Sequence, residues 1–269
     1  ELDKKSGVVG LIFRSSKPGA WVYGADIREF QQATDITKEQ VVEMCTGGRK
    51  TFQRLTSAPY ISVAAIDGVC LGGGAELALW CDRRVMGDDR KSQLGFPEVK
   101  IGIFPGWGGT ARTPRMIGLA NAIELVCVGD PIDGKAAAGF GLVSDVVPPE
   151  QIQDAAIGVI RGEQKTQDYL EDRTTWAGKL PIDDTELAFL ATTASGFIQQ
   201  QTKGQYPAPV AALNTMVESA TVDIDAACEN EARGMAGLFG GPVNRALMNV
   251  FFMMEGNKKD PGVDDASIK

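Results

Sequence analysis

Two glutamates stand where the chain is otherwise apolar. Glu76 follows three glycines, Gly72, Gly73 and Gly74, and is flanked by Ala75, Leu77, Ala78, Leu79 and Trp80. Glu98 lies further on, in Phe96-Pro97-Glu98-Val99. Two carboxylates flanking one substrate can divide acid and base work if their surroundings push their pKa values apart. Each has an ordinary reading when taken alone: Glu76 as a carboxylate favoured by a helix dipole, and Glu98 as a surface-loop acid. Spacing alone does not bring them together. The glycine run adds to the case for Glu76, because it lets backbone approach a ligand closely and aims N–H groups at it. With the partial positive charge of a helix N-terminus, such a turn suits an oxygen that gains charge in a transition state. Packing a helix start against a strand would need only one glycine.

Composition narrows the chemistry. The 269 residues include no histidine, which removes Ser-His-Asp and Cys-His catalysis, HExxH zinc sites and histidine bases. Acid–base work then falls to carboxylates, lysines, tyrosines or thiols. Net charge is −8, which argues against nucleic acid as a partner but leaves room for a small anionic ligand. The five cysteines (45, 70, 81, 127 and 228) are odd in number and form no CxxC, so they read as buried reduced thiols. There is no apolar run of 18 residues and no visible signal peptide. The chain opens on Glu rather than Met, so targeting is not legible.

The elements that must position these residues read as an α/β core. GVVGLIF (7–13), ISVAAI (61–66), RRVMG (83–87), SQLG (92–95) and GLVSDVV (141–147) read as strands. Strands alternate with helices, which predicts a sheet covered on both faces. SSKPGAWVYG (15–24) reads as a loop, and Asp26 with Glu29 as a capping box for a short helix. Residues 38–57 read as a helix, and 109–129 as two helices broken at Gly118. Residues 151–161 are helical in pattern. The polar stretch 162–184 has few apolar anchors and reads as an extended loop. Helical pattern then runs from 185 to 255, broken at Pro207-Ala208-Pro209 and Gly240-Gly241-Pro242, and a charged tail closes the chain. Gly106-Trp107-Gly108-Gly109-Thr110-Ala111 fits the loose GxGxxA dinucleotide fingerprint. Pro105 precedes it where a strand should run in, and no convincing ribose-binding acid follows. A helix start packed against a substrate tail is the better reading.

Three blocks carry a resemblance: GADIREF (24–30), AAIDGVCLGGGAELALWCD (64–82) and LGFPEVKIGIFPGWGGTARTPRMIG (94–118). In this order and spacing they resemble the enoyl-CoA hydratase/isomerase (crotonase) superfamily. QQTKGQYPAPVAALN (199–213), CENEARGMAGL (228–238) and NKKDPG (257–262) are similar to the stretch that joins hydratase to dehydrogenase in multifunctional fatty acid oxidation proteins, the alpha subunit of the fatty acid oxidation complex. The resemblance implies a crotonase-like ββα spiral core at 1–160 and an extended loop at 161–184. A helical segment at 185–255 would follow, then a linker at 256–269 leading to a dehydrogenase domain outside this sequence. The family's first strands, ahead of Glu1, are not in the sequence. The family pattern assigns catalysis to Glu76 and Glu98, and an oxyanion hole to the backbone N–H groups of Ala25 and Gly73. Asp26, Gly72, Gly74, Pro105, Gly106 and Trp107 are expected at the substrate. The implied reaction adds water across C2–C3 of a 2-enoyl-CoA, with the same enolate machinery open to double-bond isomerisation. No metal is implied, and no cofactor beyond the substrate's own CoA; NAD would belong to the dehydrogenase domain. Implied partners are an acyl-CoA substrate, a thiolase subunit and other copies of the chain, without nucleic acid or a membrane span. The implied location is the bacterial cytoplasm, with the mitochondrial matrix or peroxisome as alternatives.

Trp107 and Tyr23 are bulkier than simple hydratases usually carry at these places. Two rival readings stay open: a crotonase-fold isomerase or thioester hydrolase, and a largely non-catalytic assembly module for a thiolase partner. Possession of both glutamates favours hydration.

Overall fold

The computed structural model describes residues 7–33 and 36–258. Its eight strands form two sheets. β1 (Gly10–Phe13), β3 (Ile61–Ile66), β5 (Arg83–Gly87) and β8 (Asp145–Val147) lie in that order and are parallel throughout. β2 (Ala20–Val22), β4 (Val69–Leu71), β6 (Gln93–Gly95) and β7 (Ile132–Asp133) form the second sheet, in which only β7 is antiparallel. The helices in chain order are α1 (Ile27–Gln32), α2 (Lys38–Gln53), α3 (Gly73–Trp80), α4 (Gly109–Ile117), α5 (Leu119–Ile123), α6 (Gly134–Gly139), α7 (Ile152–Thr166) and α8 (Asp168–Ala177). Four more follow: α9 (Asp184–Thr202), α10 (Pro207–Glu218), α11 (Ile224–Ala236) and α12 (Pro242–Asn257).

Each turn of the chain lays one strand in each sheet and then a helix: β1–β2–α1, β3–β4–α3, β5–β6 and then α4. This is the ββα spiral that the resemblance implies. β3 shows why its sequence is continuously apolar. Ile61, Val63 and Ala65 pack against Ile152, Ala156 and Ile160 of α7, while Ala64 and Ile66 face the core between the sheets. A strand buried on both faces has no polar alternation to show.

β2, β4 and β7 were not read as strands from the sequence; each is three residues or fewer and lies in a stretch read as turn or loop, or between two elements. Two boundaries also differ from expectation. Residues 161–184 are not an extended loop: α7 runs on to Thr166, and α8 occupies Asp168–Ala177. α8 buries none of its residues, so no apolar stripe announces it. Polar bonds anchor it instead. Arg173 Nε and Nη2 donate to the Asp82 carboxylate at 2.6 and 2.8 Å, and the same guanidinium reaches the carbonyls of Ala58 and Tyr60. Asp82, nearly sealed from solvent, also accepts from the Ser62 N–H and hydroxyl. Trp176 lies beside the Arg84 and Arg112 guanidinium groups. At the C-terminus α12 reaches Asn257, past the start expected for the linker; the rest of that linker, from 259 on, lies outside the described residues.

Proline opens two of the later helices as its chemistry allows. Pro207 and Pro242 sit at the first position of α10 and α12, where a missing N–H costs nothing. Among the described residues no helix is long and apolar enough to cross a membrane.

Candidate active site

A cavity of about 220 Å³ opens between the second sheet and the helical segment. Its charged wall is Glu76, Glu98 and Lys100, the last paired with Asp130. The rest is mainly apolar: Ile27 and Phe30 from α1, Met44 and Cys45 from α2, Ile103 and Phe104 from the loop before α4, Met235 from α11 and Phe251 from α12. The site is therefore not contained in residues 1–160; helices beyond 185 close it.

The glycine run makes the first wall. Gly72 has φ 54° and ψ −129°, a conformation that L side chains rarely adopt. It turns the chain from β4 into α3 and leaves the Gly73 N–H at the open start of the helix, where no intrahelical acceptor exists. Gly24 stands opposite with φ +95°; a Cβ there would lie 2.8 Å from the Gly73 nitrogen. The Gly24–Ala25 turn and the Gly73 N–H thus meet backbone to backbone at the cavity edge. Gly72 and Glu98 also meet closely, since a Cβ on Gly72 would lie 2.9 Å from Glu98 Oε1.

Glu76 sits in the first turn of α3 and is 2% exposed. Its Oε1 accepts from the Trp107 N–H at 2.6 Å and the Gly109 N–H at 2.9 Å. Burial pushes its pKa well above the usual carboxylate range, the nearby charges of Glu231 and Glu98 push the same way, and the two N–H donors oppose them. Glu98 lies in a 3₁₀ turn, Pro97–Ile101. Its Oε2 is buried without a hydrogen-bond partner. Burial raises Glu98 to about 8, with Glu231 adding to the shift.

Sequence reasoning missed the third acid. Glu231, on α11, is fully buried. Its Oε1 accepts from the Gly108 N–H at 2.6 Å; its Oε2 accepts from the Thr110 N–H at 2.7 Å, the Thr110 hydroxyl at 2.6 Å and the Ala111 N–H at 3.3 Å. Burial raises it to about 7 against these donors. Three buried carboxylates within reach of one another do not all ionise readily. By hydrogen bonding, charge is favoured on Glu231 and Glu76 and a proton on Glu98, while burial and its two acidic neighbours act against charge on Glu76 as well. The signal for Glu231 was present in the sequence. It lies on the buried stripe Ile224, Ala227, Cys228, Ala232, Met235, the same anomaly that singles out Glu76.

Of the residues expected at the substrate, the structure brings Ala25, Gly72, Gly73, Gly106 and Trp107 to the cavity with the two glutamates. Asp26, Gly74 and Pro105 are not among its walls. Asp26 is exposed; it accepts from the Arg28 N–H at 3.0 Å and pairs with the Arg28 side chain, so it caps α1 without forming the expected box with Glu29. Gly74 is a packing glycine, because a Cβ would run into the Val22 carbonyl. Pro105 packs beneath Gly109. The GxGxxA turn does bind anions at a helix N-terminus, but they are the chain's own carboxylates, Glu76 and Glu231.

Residues 1–169 match the family model described as Enoyl-CoA hydratase/isomerase. The chain belongs to this family. Among curated relatives it is 36% identical over 264 residues to the fatty acid oxidation complex subunit alpha of Vibrio cholerae, covering 97% of this chain and 37% of that protein. The corresponding Psychrobacter sp. protein is 36% identical over 262 residues, covering 96% and 36%. The chain thus spans little more than a third of the length of these relatives. Among solved structures, the enoyl-CoA hydratase of Bacillus anthracis is 28% identical with a TM-score of 0.53, covering 81% of this chain and 74% of that one. Human mitochondrial delta3-delta2-enoyl-CoA isomerase, at 19% identity, shares the fold with a TM-score of 0.63 over 96% of this chain and 84% of that one. The family model ends at residue 169, whereas the fold shared with the isomerase runs on over most of the helices that follow.

Proposed function

We propose that this chain is the hydratase part of a longer fatty acid oxidation protein, adding water across the C2–C3 double bond of 2-enoyl-CoA thioesters. One observation carries the reading. Two buried carboxylates face one apolar cavity in contrasting hydrogen-bonding settings, Glu76 braced by N–H donors and Glu98 with an unpartnered buried oxygen.

The thioester carbonyl rests on the N–H groups of Ala25 and Gly73, which hold the charge of the enolate as it forms. Glu76, with Oε1 fixed by Trp107 and Gly109, uses its other oxygen to take a proton from water. The hydroxide adds to C3. Glu98 gives its proton to C2, and the net change is H and OH across the double bond. The chemistry draws on the chain's own carboxylates and amides, and CoA enters as part of the substrate. An oxyanion donor contributes about 2.7–4 kcal/mol in comparable sites, and a general acid or base about 10²–10⁴-fold. Moving a double bond from C3 to C2 uses the same enolate, so 3-enoyl-CoA is the second substrate to try. The name of the relatives, fatty acid oxidation complex subunit alpha, supports a place in an oxidation complex; a thiolase-type partner subunit and a cytoplasmic setting belong to the same proposal.

The test is loss of the conjugated enoyl absorbance of crotonyl-CoA and a longer 2-enoyl-CoA, with folding followed by circular dichroism. Turnover by the parent and a fall of about 10²–10⁴-fold in folded Glu76→Gln and Glu98→Gln is the expected result. A folded parent inactive on both substrates would move the assembly-module reading to the front.

A further inference from the structure

Five successive backbone N–H groups at the start of α4 are divided between two carboxylates. Trp107 and Gly109 donate to Glu76; Gly108, Thr110 and Ala111 donate to Glu231. α4 has no side-chain cap of its own. A local Ser, Thr or Asp would satisfy a helix start. Instead a full carboxylate arrives from α11, more than 120 residues away in sequence, and burying such a charge costs several kcal/mol unless it is thoroughly bonded. The geometry accounts for that outlay. With Glu231 on one side and Glu76 on the other, the peptide planes of 107–111 are pinned from both faces, and neither carboxylate can draw its donors away from the other.

We propose that Glu231 is a positioning residue for the hydration site: from α11 it clamps the N-terminus of α4, and that clamped backbone holds Glu76 Oε1 so that the other oxygen meets the water. This rests on the hydratase reading above. Glu231 also sets the electrostatic field of the pair, since its charge opposes ionisation of both Glu76 and Glu98. The other titratable groups acting on the three acids are Cys45 from α2, which feels both Glu76 and Glu231, and Cys228 on α11; burial holds both thiols neutral. The cations near Glu231 are engaged with other partners: Arg49 pairs with Asp225 in the first turn of α11, and Arg112 stacks on Trp80.

The experiment compares kcat and KM against pH for the parent, Glu231→Gln and Thr110→Val in the full chain. In Glu231→Gln, kcat should fall by up to about 100-fold, the scale for a misplaced catalytic group, with KM nearly unchanged. Both limbs of the pH profile should move to lower pH, because Glu76 and Glu98 each lose a negative neighbour. A fall in kcat with the profile unmoved would reduce Glu231 to a plain helix cap and overturn the proposal, as would parent-like activity. Should Glu231→Gln fail to fold, Thr110→Val decides. It removes the hydroxyl that most favours the ionised form of Glu231, so a smaller shift to lower pH is expected, and an unmoved profile overturns the proposal. Glu76→Gln in the same series separates the two readings. If it retains full turnover, the hydratase reading has failed, independently of what Glu231 does.

Discussion

Glu98→Gln should change how stability depends on pH, and the size of the change follows from the site. The folded-state pKa of Glu98 is about 8, against 4.5 for an ordinary glutamate. A raised folded pKa means that the native state binds the proton more tightly than the unfolded chain. Below about pH 4.5 Glu98 is neutral in both states and its burial carries no charge penalty. As pH rises the unfolded chain ionises first, and stability drains away until pH passes 8. At about 1.36 kcal/mol per unit, the gap of about 3.5 units caps the loss at roughly 5 kcal/mol, of which about 2–3 kcal/mol falls between pH 6 and pH 9. Gln keeps the size of the side chain and cannot ionise. Urea unfolding of the substrate-free 269-residue chain at pH 6 and pH 9 should show the parent losing about 2–3 kcal/mol more than the variant over that interval. The difference between the two chains cancels titrating groups remote from the site; Glu76, which loses a negative neighbour in the variant, adds its own smaller change. Equal losses in both would mean that Glu98 does not hold a proton in the native state, and its assignment as the acid would go with that.

Three further outcomes are expected. Gly48→Ala, a change that would ordinarily help a helix by about 0.5–1 kcal/mol, should lower the melting temperature, because its Cβ would fall inside the Trp107 indole; altered tryptophan fluorescence should accompany it, and a raised melting temperature would contradict the packing. Arg173→Ala strips the buried Asp82 of its partner and should cost about 3–5 kcal/mol in chemical denaturation; a loss under about 1 kcal/mol would mean α8 is held by something else. Burial pushes Cys45, Cys81 and Cys127 up to about 12 and raises Cys70 and Cys228 as well, so Ellman's reagent should label no thiol at pH 8 until denaturant is added. Prompt labelling of the native chain would count against the packed site.

Glu76 and Glu98 were legible because a carboxylate in an apolar run is an anomaly along the chain itself. The long strands were legible for a similar reason: ISVAAI has the unbroken apolar character of a strand covered on both faces. Asp26 carried two readings: its role as the cap of a short helix was legible and holds for a helix six residues long, while the substrate contact implied by the resemblance has no counterpart among the cavity walls. α8 was invisible because its anchors are ion pairs, Arg173 on Asp82 and Asp172 on Arg83, contacts no local pattern records. Glu231 obeys the rule that found Glu76. What the sequence withheld is that its stripe lies against α4, since only packing puts positions 108–111 and 231 on one set of hydrogen bonds.

The Arg173–Asp82 pair bears on the chain as it is synthesised. The two residues are 91 positions apart, so at about 5–20 residues per second the ribosome takes roughly 5–18 s to add the second after the first. During that interval the parallel sheet around β3 and β5 can collapse only with Asp82 lacking its cation. A nascent chain paused in that window would carry a half-built core and its unsatisfied acid, the kind of intermediate that chaperones retain. Silent codon changes between these positions that lengthen the wait should lower soluble yield without altering a single contact in the finished protein.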